Sequence, residues 1–135
     1  MKILLVEDSR FLRIAIERAL TRVGHSVTCV ADGREVLHAA RTTLPALILL
    51  DMMLPGLDGT SVLKALKQDV STAQIPVIVL TALSQKNEEK LKSAGAAAYI
   101  EKSSLDLGQN ADVLIQSVEN VLSRSVAVGG SSPGL

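Results

Sequence analysis

The chain has 135 residues, 47% of them hydrophobic, with 14 basic and 14 acidic side chains and a formal net charge of +0. That length suits one domain with a substantial core, the charge balance argues against a nucleic-acid footprint, and an aromatic content of 1% leaves no platform for stacking bases. No apolar run approaches a membrane span, Glu7-Asp8 interrupt the first run too early for a secretory signal, and the single Cys29 excludes an internal disulfide and fits a reducing compartment.

Strand and helix patterns alternate from the first residues. Ile3-Leu4-Leu5-Val6 reads as strand one. Ser9 can cap a first helix with the apolar stripe Leu12, Ile16, Ala19, Leu20 and Val23, stopped by Gly24. Ser26 to Val30 reads as strand two. Asp32-Gly33 opens a second helix with Val36, Leu37 and Ala40 inward. Pro45 precedes strand three, Leu47 to Leu50. Pro55-Gly56 mark a loop, and Asp58-Gly59 lead into a third helix through Val62, Leu63 and Leu66. Pro76 precedes strand four, Val77 to Leu80. Ser84 can cap a helix over Gln85 to Ala94, closed by Gly95, and Ala96 to Ile100 reads as strand five. A last helix presents Val113, Leu114, Val118, Val121 and Leu122. From Ser125 the pattern stops, and Gly129 to Gly134 reads as a flexible tail or linker stub. The division is a domain over 1–124 and a tail over 125–135.

Continuous apolar runs of this length suit strands buried on both faces, the pattern of a parallel sheet. Five βα units imply right-handed crossovers and a doubly wound α/β fold. Ligands of such sheets bind outside the carboxyl ends of the strands. Glu7-Asp8, Asp51, Thr81 and Lys102 each follow an apolar run, so they converge on one edge. Clustered carboxylates repel one another and call for a cation. Their hard oxygen ligands suit Mg²⁺, which binds by one or two carboxylates together with waters and phosphate oxygens. A carboxylate can also act as a nucleophile and form an acyl phosphate. The metal, Lys102 and the Thr81 hydroxyl would then meet the phosphoryl oxygens. Simpler structural readings stand beside these. Asp32 and Asp58 suit turns and caps, His25 and His38 suit the surface, and Phe11 is a candidate neighbour of the acidic pair.

Glu7-Asp8, the segment Leu49-Leu50-Asp51-Met52-Met53-Leu54-Pro55-Gly56-Leu57-Asp58-Gly59, Thr81-Ala82 and Lys102 together resemble a receiver domain of a two-component response regulator, over about residues 1 to 124. The resemblance implies a flavodoxin-like five-stranded sheet in the order 2-1-3-4-5 with five helices. It implies Asp51 as phosphoacceptor, with Mg²⁺ held by the side chains of Asp8 and Asp51 and the Met53 carbonyl, and by Glu7 through a water. Thr81 and Lys102 would contact the phosphoryl group, and Tyr99 occupies the aromatic switch position. The implied phosphodonor is a histidine kinase or a histidine phosphotransfer protein. The output would be a protein contact on the surface of the helix over 85–94, strand five and the last helix.

The chain departs from the family pattern after Lys102. Ser103 stands where most members carry a proline, usually after a cis bond. A cis bond before a non-proline residue costs about 3 kcal/mol, so the following loop is expected to differ. The acidic pair and the arginine that mark one class of DNA-binding dimers are also missing, so a monomer or weak dimer is expected. We expect cytoplasmic residence, no membrane insertion, no direct nucleic-acid contact, and no output domain within these residues. An enzyme using Asp51 as nucleophile would need an acidic residue two positions on, where Met53 stands. A pseudo-receiver that never accepts phosphate is opposed by the intact carboxylates, Thr81 and Lys102, while Ser103 keeps that alternative open.

Overall fold

Five short aliphatic runs assemble into one parallel sheet of order β2-β1-β3-β4-β5. The structure, a computed structural model, describes residues 1–54, 56, 58–82, 92–105 and 111–131, with side chains of the last helix described through Arg124. The strands are β1 (Lys2–Val6), β2 (Ser26–Val30), β3 (Leu47–Asp51), β4 (Val77–Thr81) and β5 (Ala98–Glu101). Among the described residues, four α-helices connect or follow them: α1 (Arg10–Arg22), α2 (Val36–Thr43), α3 (Gly59–Gln68) and α4 (Asp112–Ser131). The helix expected over 85–94 lies outside the described residues, apart from helical backbone at Lys92 and Ser93.

The alternation of strand side chains divides the core into two layers. Ile3, Leu5, Leu47, Leu49, Ile78 and Leu80 pack against Ile16 and Leu20 of α1 and Leu114 and Val118 of α4. Their sequence neighbours Leu4, Val6, Ile48, Leu50, Val77 and Val79 pack against Val36 of α2 and Val62, Leu63 and Leu66 of α3. Every residue of β3 and β4 is buried, which is why these segments read as unbroken apolar runs. Fully burying one such leucine contributes about 1.5–3 kcal/mol. The edge strand β2 is only partly covered and alternates accordingly.

Several boundaries differ from the expected ones. Asp51 and Thr81 are the last residues of β3 and β4 rather than the residues that follow them. Strand β5 begins at Ala98, and Ala97 is a lead-in whose N–H donates to the Val77 carbonyl at 2.8 Å. Asp32 caps a 3-10 turn over Gly33–Glu35, and α2 starts after it. Val23 belongs to no buried stripe. It is the exposed C-cap of α1, beyond which Gly24 turns the chain at φ +98. Val113 is exposed too, while the neighbouring Leu114 faces the core. His25 is half-buried at the surface, with its Nε2 2.8 Å from Glu119 Oε1. His38 is exposed as expected.

The backbone of α4 continues helical to Ser131, past the boundary expected after Arg124. The loss of apolar periodicity there ends the packing signal, and a helical backbone does not require one. The link between α3 and β4 carried no pattern in the sequence. It is held by polar contacts: buried Thr72 donates its hydroxyl to the Leu66 carbonyl at 2.7 Å, and Lys67 Nζ donates to the carbonyls of Ala73 and Ile75 at 3.2 and 2.9 Å.

Candidate functional site

The carboxyl edge of the sheet brings the acidic residues together because the central strands are parallel and in register. Val6 pairs with Leu50, so Glu7 and Asp51 stand side by side at the next position. Asp51 pairs with Leu80 and Thr81 with Glu101, which sets Thr81 and then Lys102 along the same edge. Glu7, Asp51 and Thr81 are buried, and Asp8 is exposed at the mouth. Carboxylate oxygens of Glu7, Asp8 and Asp51 lie within 4.8 Å of one another.

Each buried carboxylate has one oxygen fixed by backbone. Glu7 Oε2 accepts from the Ser9 N–H at 3.1 Å, and Asp51 Oδ1 accepts from the Met53 N–H at 3.0 Å. The other oxygens, Glu7 Oε1 and Asp51 Oδ2, are buried without a hydrogen-bond partner. Both face Lys102, whose Nζ lies 3.5 Å from Glu7 Oε1 and 2.9 Å from Asp51 Oδ2. The ammonium supplies charge but not a hydrogen-bonding angle to either. Burial, and next the neighbouring Asp51 carboxylate, push Glu7 up to about 7. Burial opposes the charge on Lys102, but Asp51 and Glu7 outweigh it and hold its pKa above the ordinary lysine value.

The loops that carry these residues are anchored close by. The Glu7 N–H extends the ladder to the Val30 carbonyl at 3.0 Å. Arg13 reaches back from α1 to donate Nη1 to the Glu7 carbonyl at 3.3 Å, and Ser9 Oγ accepts from the Leu12 N–H at 3.4 Å to cap that helix. After Asp51, Met52 N–H donates to the Leu80 carbonyl and Gly59 N–H to the Met52 carbonyl, at 3.1 and 3.2 Å. Gly59 is required there. A Cβ at this position would lie 2.5 Å from Met52 Cα and 3.0 Å from the Asp51 carbonyl oxygen, so the α3 N-terminus can rest against the acidic loop only without a side chain.

The expected residues fall as follows. Glu7, Asp8, Asp51 and Lys102 form one cluster. Met53 is 72% exposed at its rim. Tyr99 is half-buried on β5, opposite Val79, and packs on the layer shared with α2 and α3. Phe11 is 78% exposed. Asp32 and Asp58 are caps, Asp32 accepting from Arg34 N–H at 2.8 Å and Asp58 from Ser61 N–H at 2.9 Å. Leu83, placed after Thr81 as Met53 is after Asp51, lies outside the described residues. Arg13 carried no sequence signal, since a guanidinium that serves a backbone carbonyl six residues away follows no side-chain motif.

Three hard carboxylates, two of them with a buried oxygen that accepts no hydrogen bond, form a donor set that fits a small divalent cation with oxygen ligands. No helix among the described residues is long and apolar enough to cross a membrane.

The chain is similar to known proteins in both sequence and fold. The model of the response regulator receiver domain matches residues 3–115. The transcriptional regulatory protein AfsQ1 of Streptomyces coelicolor is 45% identical over 80 residues, covering 59% of this chain and 34% of that protein. The transcriptional regulatory protein CseB of the same organism is 38% identical over 129 residues, covering 95% of this chain and 52% of that protein. The chain therefore spans only part of these relatives. The structure of the chemotaxis response regulator CheY4 of Vibrio cholerae superposes with a TM-score of 0.79 at 27% identity, covering 89% of this chain and 97% of that one.

Proposed function

As the chain belongs to the response regulator receiver domain family and is thus a signalling switch of two-component systems, we propose that Asp51 accepts a phosphoryl group from a phosphohistidine on a histidine kinase or a histidine phosphotransfer protein. The observation that carries this reading is Asp51 Oδ2. It is buried, accepts no hydrogen bond, and lies 2.9 Å from Lys102 Nζ, while the Met53 N–H holds the other oxygen in place. An oxygen held by the lysine charge rather than by a hydrogen bond keeps its lone pairs for attack on phosphorus.

In the reaction an Asp51 oxygen bonds to phosphorus as the phosphorus–nitrogen bond breaks. The donor imidazole leaves with the electron pair of that bond. The Lys102 ammonium neutralises oxygen charge on the incoming group, and the Thr81 hydroxyl is the donor at the end of β4. The side chains of Asp8 and Asp51 and the Met53 carbonyl would hold Mg²⁺, with Glu7 acting through a water. When bound, Mg²⁺ supplies positive charge against the oxygens of the phosphoryl group.

Thr81 and Tyr99 are the switch pair. Engagement of Thr81 by the phosphoryl group biases the surface formed by β5, α4 and the helix expected over 85–94, and a protein output partner reads that surface. The domain acts in the cytoplasm as a monomer or weak dimer, without entering a membrane or contacting nucleic acid itself. Residues 1–124 form the switch, and 125–135 form a tail or linker. The test is incubation with Mg²⁺ and acetyl phosphate followed by intact mass. Wild type should gain one phosphoryl group, Asp51→Asn should gain none, and Asp8→Ala should gain far less. Full phosphorylation of Asp51→Asn would overturn the assignment.

A further inference from the structure

Lys102 sits where the sheet gives it little support. Strand β5 is at the end of the sheet, paired only with β4, and its last residue is Glu101. The chain then turns through a 3-10 segment, Lys102–Ser104. No peptide bond among the described residues is cis, and Ser103 offers no ring to restrict the backbone after Lys102. Yet the Lys102 side chain must leave this turn in one direction to reach both Glu7 and Asp51.

Two hydrogen bonds bracket Lys102. On its upstream side the Glu101 carbonyl accepts from Ser104 Oγ at 2.8 Å. On its downstream side its own carbonyl accepts from the Leu105 N–H at 3.2 Å. The peptide planes before and after the Lys102 Cα are thereby both tied to the same turn. The Glu101 side chain makes no capping hydrogen bond to this turn, and the Ser104 hydroxyl is the side-chain contact that joins the strand end to it. A serine hydroxyl folding back on a carbonyl three residues earlier is a local lock available to Ser and Thr and closed to Ala.

We propose that Ser104 is a positioning residue for phosphoryl transfer: its hydroxyl locks the turn after β5 and so aims Lys102 at Asp51 and Glu7. Ser104 touches neither the phosphoryl group nor the metal and acts through Lys102. This rests on the reading of Asp51 as phosphoacceptor and adds to it a residue that replaces, by a side-chain hydrogen bond, the backbone restriction of a proline at 103.

The test uses the whole chain and four variants: Ser104→Ala, Ser104→Thr, Lys102→Ala and the double variant Lys102→Ala with Ser104→Ala. Phosphorylation by acetyl phosphate at saturating Mg²⁺ is followed by mass. Ser104→Ala should slow it about three- to tenfold, the range set by one hydrogen bond. Ser104→Thr should restore the rate. In the Lys102→Ala background the Ser104→Ala change should have no further effect, because the residue it positions is gone. A second measurement needs neither metal nor phosphate. Reductive methylation of Lys102, mapped by peptide mass, should be faster in Ser104→Ala than in wild type or Ser104→Thr. If wild type takes up no phosphoryl group while methylation still depends on Ser104, the phosphoacceptor reading falls and the lock stands. Wild-type behaviour of Ser104→Ala in both measurements, or an equal slowing with and without Lys102, overturns the lock.

Discussion

Lys102 Nζ lies 2.9 Å from Asp51 Oδ2, on a carboxylate oxygen that accepts no hydrogen bond. In the metal-free protein the ammonium is the resident counter-ion of the acidic cluster. It therefore competes with any second cation for the same charge. Lys102→Ala should bind Mg²⁺ more tightly by about fivefold, equivalent to roughly 1 kcal/mol, and accept phosphate more slowly. Calorimetric titration with Mg²⁺ alone separates the two effects. Weaker Mg²⁺ binding in the variant would contradict this account of the lysine.

Glu7 carries a pH dependence of the metal-free fold. In the unfolded chain its carboxyl ionises near 4.5; in the fold, burial and then Asp51 raise it to about 7. The folded form thus holds a proton that the unfolded form has released between these values. The stability from that proton is present in full below about pH 4.5 and is lost as pH rises through 7. Glu7→Gln keeps a neutral group in place. With chelator present, it should exceed wild type at pH 8 by on the order of 1–3 kcal/mol and match it at pH 4. Thermal melts at the two pH values decide this, and an equal difference at both would contradict it.

Gly59→Ala should damage both stability and the site. The added Cβ would meet Met52 Cα at 2.5 Å, and backbone cannot swing aside as a side-chain tip can. A cost of about 1–3 kcal/mol is expected from such overpacking. The strain falls on the loop that presents Met53 N–H to Asp51, so Mg²⁺ affinity should fall as well. Denaturant titration and calorimetry would show whether the two losses occur together.

Met53 is exposed at the rim of the cluster and offers no side-chain hydrogen bond to water. An acyl phosphate on Asp51 is lost when a positioned water attacks in line. Met53→Asn should shorten the phospho-protein lifetime several-fold at fixed Mg²⁺. Leu83→Glu, two residues beyond Thr81 as Met53 is two beyond Asp51, should add to the effect. Decay no faster in the polar variants would sink the water-access argument.

The end of α4 is helical to Ser131, but the described core ends with Leu122. A chain ending at Ser125 should melt within a few degrees of the full chain, since the apolar periodicity that marks core packing stops there. A larger loss would assign Val126 and Val128 to the core.

The sheet was legible in the sequence because its strands are buried on both faces. Such strands become unbroken aliphatic runs, as in Leu47 to Leu50, and each parallel run points its carboxyl end at the same edge. From that alone Glu7, Asp8, Asp51, Thr81 and Lys102 belong together. Val23 and Val113 misled because an apolar residue at a helix end or one position off the stripe has the same composition as a core residue, and only packing separates them.

What the tertiary structure decided lies in contacts between residues distant in sequence or without a repeating pattern. Which oxygen of Asp51 is fixed and which is left for Lys102 depends on the Met53 N–H and on a turn fifty residues later in the chain, residues 102–104. The contact of His25 with Glu119, the reach of Arg13 to the Glu7 carbonyl, and the need for Gly59 beside Met52 likewise have no periodicity. Hydrophobic burial writes a repeating signal into a chain because every turn or pleat must satisfy it. A single polar contact is made once, between two particular atoms, and exists only after the core has brought them together.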